Sequence, residues 1–212
     1  MPRSPEQHEA MRAATRESVR SAAVRMFAQQ GYAAVSMRQI AAEAGISTGL
    51  IYRHFATKDE LFGGLVAEAA TGLGAVAERF RGSEDPAESL RAFTEEFLAD
   101  LSHEGDFAEF FLLMNHAYTQ GVGEGREVPA AVRDLIGRSA ELQGVTVGLI
   151  EQGQRRGVFR AGPADELAAC YFAVFGGLVS MRSATGAGFA VPTTATVLSF
   201  LLRGHSGDEG EQ

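Results

Sequence analysis

The 212-residue chain has a single cysteine, Cys170, which excludes an internal disulfide and a zinc site built on cysteines. No run of apolar residues approaches the roughly 18 that a membrane span needs. Residues 1–8 contain no apolar segment of the kind found in signal peptides. These absences exclude a disulfide scaffold, a secreted module and an integral membrane protein, and we expect a soluble protein of the cytoplasm.

The sequence also lacks the motifs of common catalytic and metal sites. It has no GxSxG, P-loop or GxGxxG pattern. The acidic and histidine residues between His103 and His116 do not have the HExxH or ExxH spacing that places two metal ligands on one helix face. We therefore expect no catalytic residue, no metal and no cofactor, and a protein that is not an enzyme.

Charge is distributed unevenly along the chain, whose net charge is −8. Residues 1–60 contain eight basic and six acidic side chains, a balance of +2, whereas residues 61–212 contain eleven and twenty-one, a balance of −10. A basic N-terminal region on an acidic body is typical of a protein in which only one part contacts a polyanion. An uneven composition without functional meaning is the alternative at this point.

Apolar residues recur at helical spacing through most of the chain. The first clear example is the set Val19, Ala22, Ala23, Met26 and Phe27, which lies on one face of a helix. The alternation typical of strands is absent. The pattern predicts an all-α fold of about nine helices, at residues 12–30, 37–44, 48–54, 58–81, 86–103, 106–120, 129–155, 163–186 and 192–203.

Three helix starts are concentrated in the basic region. Ser36 and Gln39 form a capping box, Ser47 is a second N-cap, and residues 57–60, Thr-Lys-Asp-Glu, form another capping box. Gly45 can adopt the left-handed conformation that ends one helix before the next begins. Two short helices joined by a tight turn and packed on helix 12–30 form a helix-turn-helix.

A helical wheel of the second short helix separates its faces. Ile51 and Phe55 lie on the inward side, and Arg53 lies on the outward side. An outward arginine can donate two hydrogen bonds to guanine, and Leu50 can contact a thymine methyl group. Gly49 allows the helix to approach DNA closely.

Three polar side chains near this helix are expected to contact phosphates and set the register: Ser36, Tyr52 and Lys58. Core packing against helix 12–30 is the alternative for Tyr52. For His54 the wheel leaves packing and a backbone contact equally open.

The ordered string of residues carries a family resemblance. It comprises Thr15-Arg16-Glu17, then Ala23-x-x-Met26-Phe27-Ala28-x-x-Gly31-Tyr32, then Ser36-Met37-Arg38-Gln39-Ile40-Ala41-x-x-Ala44-Gly45-Ile46-Ser47, and finally Gly49-x-Ile51-Tyr52-x-His54-Phe55-x-Thr57-Lys58-x-x-Leu61. This string resembles the N-terminal DNA-binding domain of the TetR family of bacterial transcriptional regulators. Ile51 stands where leucine is usual, and Arg53 stands where histidine or tyrosine is frequent.

The resemblance implies a homodimer that binds double-stranded DNA through its N-terminal domain and is released by a ligand held in the body. By motif position, eight residues match DNA-contacting positions: Arg38, Thr48, Gly49, Leu50, Tyr52, Arg53, His54 and Lys58. It also implies a helix-turn-helix domain at 1–56 with a flexible arm at 1–11, a helical effector-binding and dimerisation domain at 57–204, and a disordered tail at 205–212.

The body contains aromatic residues at helical spacing, which suit a mostly apolar cavity for a small organic ligand. The expected lining consists of Phe97, Phe107, Phe110, Phe111, Met114, Asn115, Tyr118, Phe172 and Phe175. A helical body of this size also needs such residues for its core, so core packing is the alternative for each of them.

The last two predicted helices are apolar enough to bury a face against a second copy of the chain. By resemblance they form a four-helix dimer interface, for which we expect Phe175, Leu178, Val197, Leu198 and Leu201.

The resulting hypothesis is a ligand-responsive transcriptional regulator, a repressor that binds a palindromic operator as a homodimer and is released by a small apolar or amphipathic effector. One alternative is a helical-bundle carrier or enzyme that uses the aromatic cavity. The other is an architectural DNA-binding protein without a ligand.

Overall fold

The computed structural model describes residues 5–103, 105–121 and 128–203, and this part of the chain is almost entirely helical. The all-α prediction is therefore confirmed. The helices are α1 (Pro5–Gln30), α2 (Met37–Glu43), α3 (Thr48–His54), α4 (Lys58–Arg81), α5 (Pro86–Ser102), α6 (Phe107–Gly121), α7 (Ala130–Arg155), α8 (Ala164–Thr185), a short 3-10 helix (Gly186–Gly188) and α9 (Thr194–Leu198).

The described residues divide into two compact units. The head unit contains residues 5–70, 105–121 and 128–136, and the body unit contains residues 71–103 and 137–203. This division differs from the boundary expected at residues 56 and 57. The head unit takes in the first half of α4 and the whole of α6, because α6 packs extensively against α1.

The core of the head unit is formed by the inward faces of its first four helices. These faces carry small and medium apolar side chains with at most 3% exposure: Val19, Ala22, Ala23, Val24 and Phe27 from α1, Ile40 and Ala41 from α2, Ile51 from α3, and Leu61, Leu65 and Val66 from α4. Of the α1 residues, Val19, Ala22, Ala23 and Phe27 were predicted from their spacing, Val24 was not, and the predicted Met26 is half-buried. Burial of this one stripe fixes how α2 and α3 lie on α1.

Helix α1 begins at Pro5 and not at residue 12, so residues 5–11 of the expected flexible arm are helical. Apolar residues at helical spacing begin only at Val19. The part of the helix before Val19 is exposed and buries no face, so its sequence has no apolar periodicity. Proline at the first helical position and the helix-forming residues that follow stabilise this extension. The expectations for residues 1–4 and for the tail at 205–212 lie outside the described residues.

Helix α9 ends at Leu198, whereas the sequence pattern predicted a helix to residue 203. Beyond it the chain pairs with the segment after α7. The Arg160 amide donates to the Leu201 carbonyl over 3.0 Å, and the Arg203 amide donates to the Val158 carbonyl over 3.1 Å. These backbone groups therefore bond across the two segments and do not continue a helix.

The expected dimer-interface residues are mostly core residues of the protomer. Phe175 is 2% exposed, and the α9 residues and the turn after them are equally hidden, with Val197 at 5%, Leu198 at 3% and Leu201 at 0%. Only Leu178 is half-buried. The prediction was wrong for the four buried residues because an apolar pattern is the same whether the covering surface belongs to the same chain or to a partner.

Two helices, α4 and α8, are long and apolar enough to cross a membrane by length and composition alone. Core helices of soluble proteins meet the same criterion. In α4 the residues Leu61, Leu65 and Val66 are indeed part of the head core. In the most apolar 18-residue stretch of each helix, only 28% is buried within the chain. Much of the apolar surface of α8 is therefore uncovered.

Two glycines of α7 give opposite expectations for the same substitution. A Cβ at Gly153 would lie 2.1 Å from the Phe159 ring, which is 3% exposed, whereas a Cβ at Gly148 would meet nothing within 4 Å. Gly153→Ala should therefore lower the free energy of unfolding by about 1–3 kcal/mol through overpacking. Gly148→Ala should raise it by about 0.5–1 kcal/mol through helix propensity. Chemical denaturation of both variants followed by circular dichroism measures the difference, and equal stabilities would contradict it.

Candidate nucleic-acid interface

Helix α2 begins at a complete capping box. The Gln39 amide donates to Ser36 Oγ over 3.3 Å, and the Ser36 amide donates to Gln39 Oε1 over 2.9 Å. The two bonds satisfy donors that a helix start otherwise leaves unpaired. The predicted start of α2 is confirmed, and the Ser36 hydroxyl has a structural role there.

The turn between α2 and α3 depends on one glycine. Gly45 has φ +69°, a conformation that glycine adopts without the steric cost of a side chain. Ser47 then caps α3 by accepting a hydrogen bond from the Leu50 amide over 3.2 Å. The Ser18 hydroxyl of α1 donates to the Ala44 carbonyl over 3.1 Å and holds the turn against α1. This is the predicted helix-turn-helix.

The third cap, at the start of α4, is confirmed with one difference. Thr57 Oγ1 accepts a hydrogen bond from the Glu60 amide over 3.0 Å, as in a capping box. The Glu60 carboxylate accepts from the Ala56 amide over 2.7 Å and not from the amide of Thr57. The reciprocal bond therefore reaches one residue further back and includes the linker between α3 and α4.

Helix α3 presents the side chains that the wheel predicted. Ile51 is fully buried, and Phe55, which follows the helix, is 7% exposed. The opposite face is open to solvent, with Tyr52 at 52% exposure, and Thr48, Gly49 and Arg53 are also exposed, while Leu50 and His54 are half-buried. The packing alternative for Tyr52 is wrong, and α3 uses one side chain of its seven for the core.

The basic side chains of the head unit fall into two groups. Four of them are engaged within the protein: Arg20 with Glu68 and Asp106, Arg25 with Glu43, Lys58 with backbone carbonyls, and Arg133 with the Val128 carbonyl. The other four have no carboxylate partner among the described residues, and these are Arg12, Arg16, Arg38 and Arg53. Their charge is available for phosphates.

Arg12 and Arg16 were missed by the sequence reasoning. Both lie on the exposed part of α1, four residues apart and therefore on one face. The Arg16 guanidinium lies 4.8 Å from the centre of the Phe55 ring, which places it beside the end of α3. Both residues fall within the helix predicted at 12–30 and count toward the basic N-terminal region, but no DNA contact was expected from either.

The aromatic cluster of the body unit brings together several of the expected ligand-binding residues. The Phe97 and Phe175 rings have centroids 4.4 Å apart, and Phe93 lies 5.5 Å from Phe175. Phe172 is at the edge of the cluster, 5.6 Å from the ring of Tyr171. Phe97 of α5 and Phe175 of α8, both expected to line a cavity, thus lie together and are buried as ordinary core residues are.

The same cluster contains a polar pair that was not predicted. The Thr94 and Tyr171 hydroxyls are 2.9 Å apart, and both can donate to the Leu90 carbonyl. Both residues are fully buried, and burial raises the pKa of the Tyr171 phenol above its usual range. A threonine within the apolar stripe of α5 is the sequence signal that could have indicated this pair.

Helix α6 holds the remaining expected ligand-binding residues, and they do not share one environment. Met114 is 7% exposed, whereas Phe107, Phe111 and Tyr118 are half-buried and Asn115 is exposed. Phe110 lies under the Arg20 guanidinium, 4.8 Å from the ring centre. Asn115 therefore faces solvent in the protomer and not an apolar lining.

No group of three or more histidine, cysteine or carboxylate side chains is placed to hold a metal within the part of the chain that the structure describes.

The head region is similar in sequence to known regulatory proteins. The family model of bacterial regulatory proteins of the tetR family matches residues 19–65, which include α2, α3 and the start of α4. The transcriptional repressor Rv3405c of Mycobacterium tuberculosis is 40% identical over 73 residues, 34% of this chain and 37% of that protein. The chain thus spans little more than a third of that relative's length.

A second relative matches further into the body. The transcriptional activator FasR of Mycolicibacterium smegmatis is 30% identical over 142 residues, 61% of this chain and 64% of that protein. The crystal structure of the MbdR regulator from Azoarcus sp. CIB is similar with a TM-score of 0.70 at 24% identity, covering 87% of this chain and 95% of that one. At this identity the structural likeness establishes the fold.

Tyr32 gives the head unit a dependence on alkaline pH. Its hydroxyl donates to the Asp59 carboxylate, and burial, followed by the contact with Asp59, raises the pKa of Tyr32 from 10.0 to about 12. The stabilisation is fully present below pH 10 and is lost as the pH rises through about 12, because the folded state holds the proton more tightly. The difference in unfolding free energy between wild type and Tyr32→Phe should shrink across this range, measured by urea titration at each pH. A difference that stays constant would contradict this assignment.

Proposed function

The chain belongs to the tetR family of bacterial regulatory proteins, and from this premise we propose that it is a repressor of transcription in the cytoplasm. It binds a palindromic operator as a homodimer and is released by a small apolar or amphipathic effector. The observation that carries the proposal is the open outer face of α3, together with nearby guanidinium groups that have no carboxylate partner among the described residues.

The outer face of α3 suits the reading of bases in a major groove. Arg53 is exposed and can donate two hydrogen bonds to guanine. Gly49 and Thr48 leave the first turn without bulk, and a Cβ at Gly49 would meet nothing within 4 Å. The described part of the protomer therefore leaves this surface open to DNA.

The free cations around α3 suit binding to the phosphate backbone. Arg12 and Arg16 on α1 and Arg38 on α2 have no carboxylate partner among the described residues, although the chain as a whole has a net charge of −8. Each phosphate that a cation neutralises adds about 0.9 to the dependence of log affinity on log salt. Binding that weakens steeply with salt is therefore expected of an acidic protein.

The proposed dimer uses α8, as the sequence analysis expected, but through another face. Its exposed residues form a stripe of small and apolar side chains at helical spacing, namely Cys170, Ala173, Gly177, Met181 and Ala184. Met181 is 56% exposed, which is unusual for a residue of its size and apolar character. A second copy of the chain would cover this stripe and place two recognition helices about 34–36 Å apart, or a simple multiple of that distance.

The proposed effector site includes the aromatic cluster of the body unit. Phe97, Phe172 and Phe175 supply apolar surface, and the buried hydroxyls of Thr94 and Tyr171 supply polar groups. This combination suits a ligand that is mostly apolar with one polar group. An effector acts by binding one conformation more tightly than another, with a coupling of about 1–3 kcal/mol. The contribution of the α6 residues stays a prediction.

Selection of bound sequences from random DNA duplexes tests the proposed function and the role of Arg53 together. We expect an inverted repeat for the wild type. Arg53→Ala should cost about 1–3 kcal/mol per half-site and relax the preference at one base pair, because the bidentate contact is lost. Arg79→Ala, which removes a body-unit arginine paired with Glu96, controls for the change in charge. Equal weakening on all sequences would remove Arg53 from base recognition, and no enrichment of any duplex would refute the proposed function.

Sedimentation of an α8 variant tests the dimer. Ala173→Glu places a carboxylate in the middle of the exposed stripe, where dimerisation would bury it without a partner. We expect monomers that keep the helical circular dichroism of the wild type and lose the added affinity of the palindrome. Ala99→Glu, at an exposed position of α5, is the matched control and should stay dimeric. A dimeric Ala173→Glu protein would place the interface elsewhere.

A further inference from the structure

Lys58, the first residue of α4, directs its side chain into the head unit. Its ammonium group donates to the Tyr32 carbonyl and to the Val35 carbonyl, each over 2.8 Å. The same nitrogen lies 4.3 Å from the centre of the Tyr32 ring. Lys58 is half-buried, unlike the exposed residues Thr57 and Asp59 on either side of it.

These contacts engage two donors of the ammonium group. Lysine has three N–H donors and no acceptor. Two of them donate to backbone carbonyls, and the positive charge also interacts with the face of an aromatic ring. The third donor can bind a phosphate without breaking either contact, whereas the loss of a carbonyl contact costs free energy because it leaves a partly buried acceptor without its partner.

The two carbonyls belong to the loop that joins α1 to α2. Tyr32 follows Gly31, whose φ of +81° ends α1, and Val35 is 2% exposed and directly precedes the Ser36 cap. Lys58 therefore bonds the loop near both of its ends. The point at which α2 begins, and with it the place of Arg38, depends on this loop.

The ring of Tyr32 is fixed from other directions as well. Its centroid lies 5.3 Å from Phe27 and 5.0 Å from Phe62, and its hydroxyl donates to Asp59. The first turn of α4 thus holds the loop through two consecutive residues, one by its ammonium group and one by its carboxylate. Such a contact, made by two groups on a helix with a capped start, is well suited to orient α2.

We propose that Lys58 is a positioning residue for DNA binding, which fixes the loop at residues 31–35 so that α2 presents Arg38 correctly. The inference rests on the proposed function and adds this role to the phosphate contact that the sequence predicted. A substitution at Lys58 that keeps the positive charge should therefore still weaken binding.

The test compares full-length Lys58→Arg with Arg38→Met on one duplex taken from the selection, at salt concentrations from about 50 to 200 mM. Lys58→Arg keeps the charge but cannot place a planar guanidinium between the same acceptors. It should therefore bind about tenfold more weakly, the equivalent of the lost hydrogen bonds, with the wild-type slope of log affinity against log salt. Arg38→Met should reduce that slope by about 0.9 per contact.

Amide hydrogen exchange without DNA supplies a second measurement. In Lys58→Met the amides of residues 35–40 should exchange faster, whereas those of the body unit should be unchanged. Full affinity in Lys58→Arg, or unchanged exchange at residues 35–40 in Lys58→Met, would each overturn the inference. A wild-type protein that binds no duplex would refute the proposed function, and the exchange measurement would still decide whether Lys58 holds the loop.

Discussion

The head unit depends on the contacts that the Arg20 guanidinium makes with three neighbouring side chains. Arg20 lies on α1 and donates to the Glu68 carboxylate of α4 over 3.1 Å and to Asp106, just before α6, over 3.2 Å. The guanidinium carbon lies 4.8 Å from the centre of the Phe110 ring, and the Arg20 side chain is only 19% exposed. A charge with so little access to water is tolerated because several partners surround it. Arg20 thereby joins α1 and α4 to the start of α6, and residues 105–121 and 128–136 belong to the head unit.

Much of the head could be predicted from the sequence because its determinants are local. The capping boxes, the positive φ of Gly45 and the inward stripe of α1 each depend on residues within a few positions of one another. The partners of Arg20 could not be predicted, since Asp106 is far away in sequence and contacts of this kind depend on the packing of helices. Lys58 presents the same difficulty: a lysine next to a DNA-binding helix has the same sequence pattern whether it contacts a phosphate or a backbone carbonyl.

The body was predicted as an architecture and only partly at the level of residues. The apolar pattern of α8 and α9 indicated burial correctly, but burial has two sources, and here Leu198 and Leu201 are covered by their own chain. Thr94 and Tyr171 form a hydrogen-bonded pair among phenyl rings, which no spacing rule indicates because the two residues lie on different helices. Local patterns predict elements, and the assignment of surfaces requires the arrangement of helices in space.

The small share of α3 that is buried affects how the sequence of this helix can change during evolution. Only Ile51 of its seven residues contributes to the core, while Thr48, Gly49, Tyr52 and Arg53 are exposed. Exposed positions away from caps and turns typically change stability by less than about 0.5 kcal/mol when substituted. Random mutation can therefore exchange these side chains with little effect on folding, so that after gene duplication the outer face of α3 could change in one copy while every intermediate variant still folds.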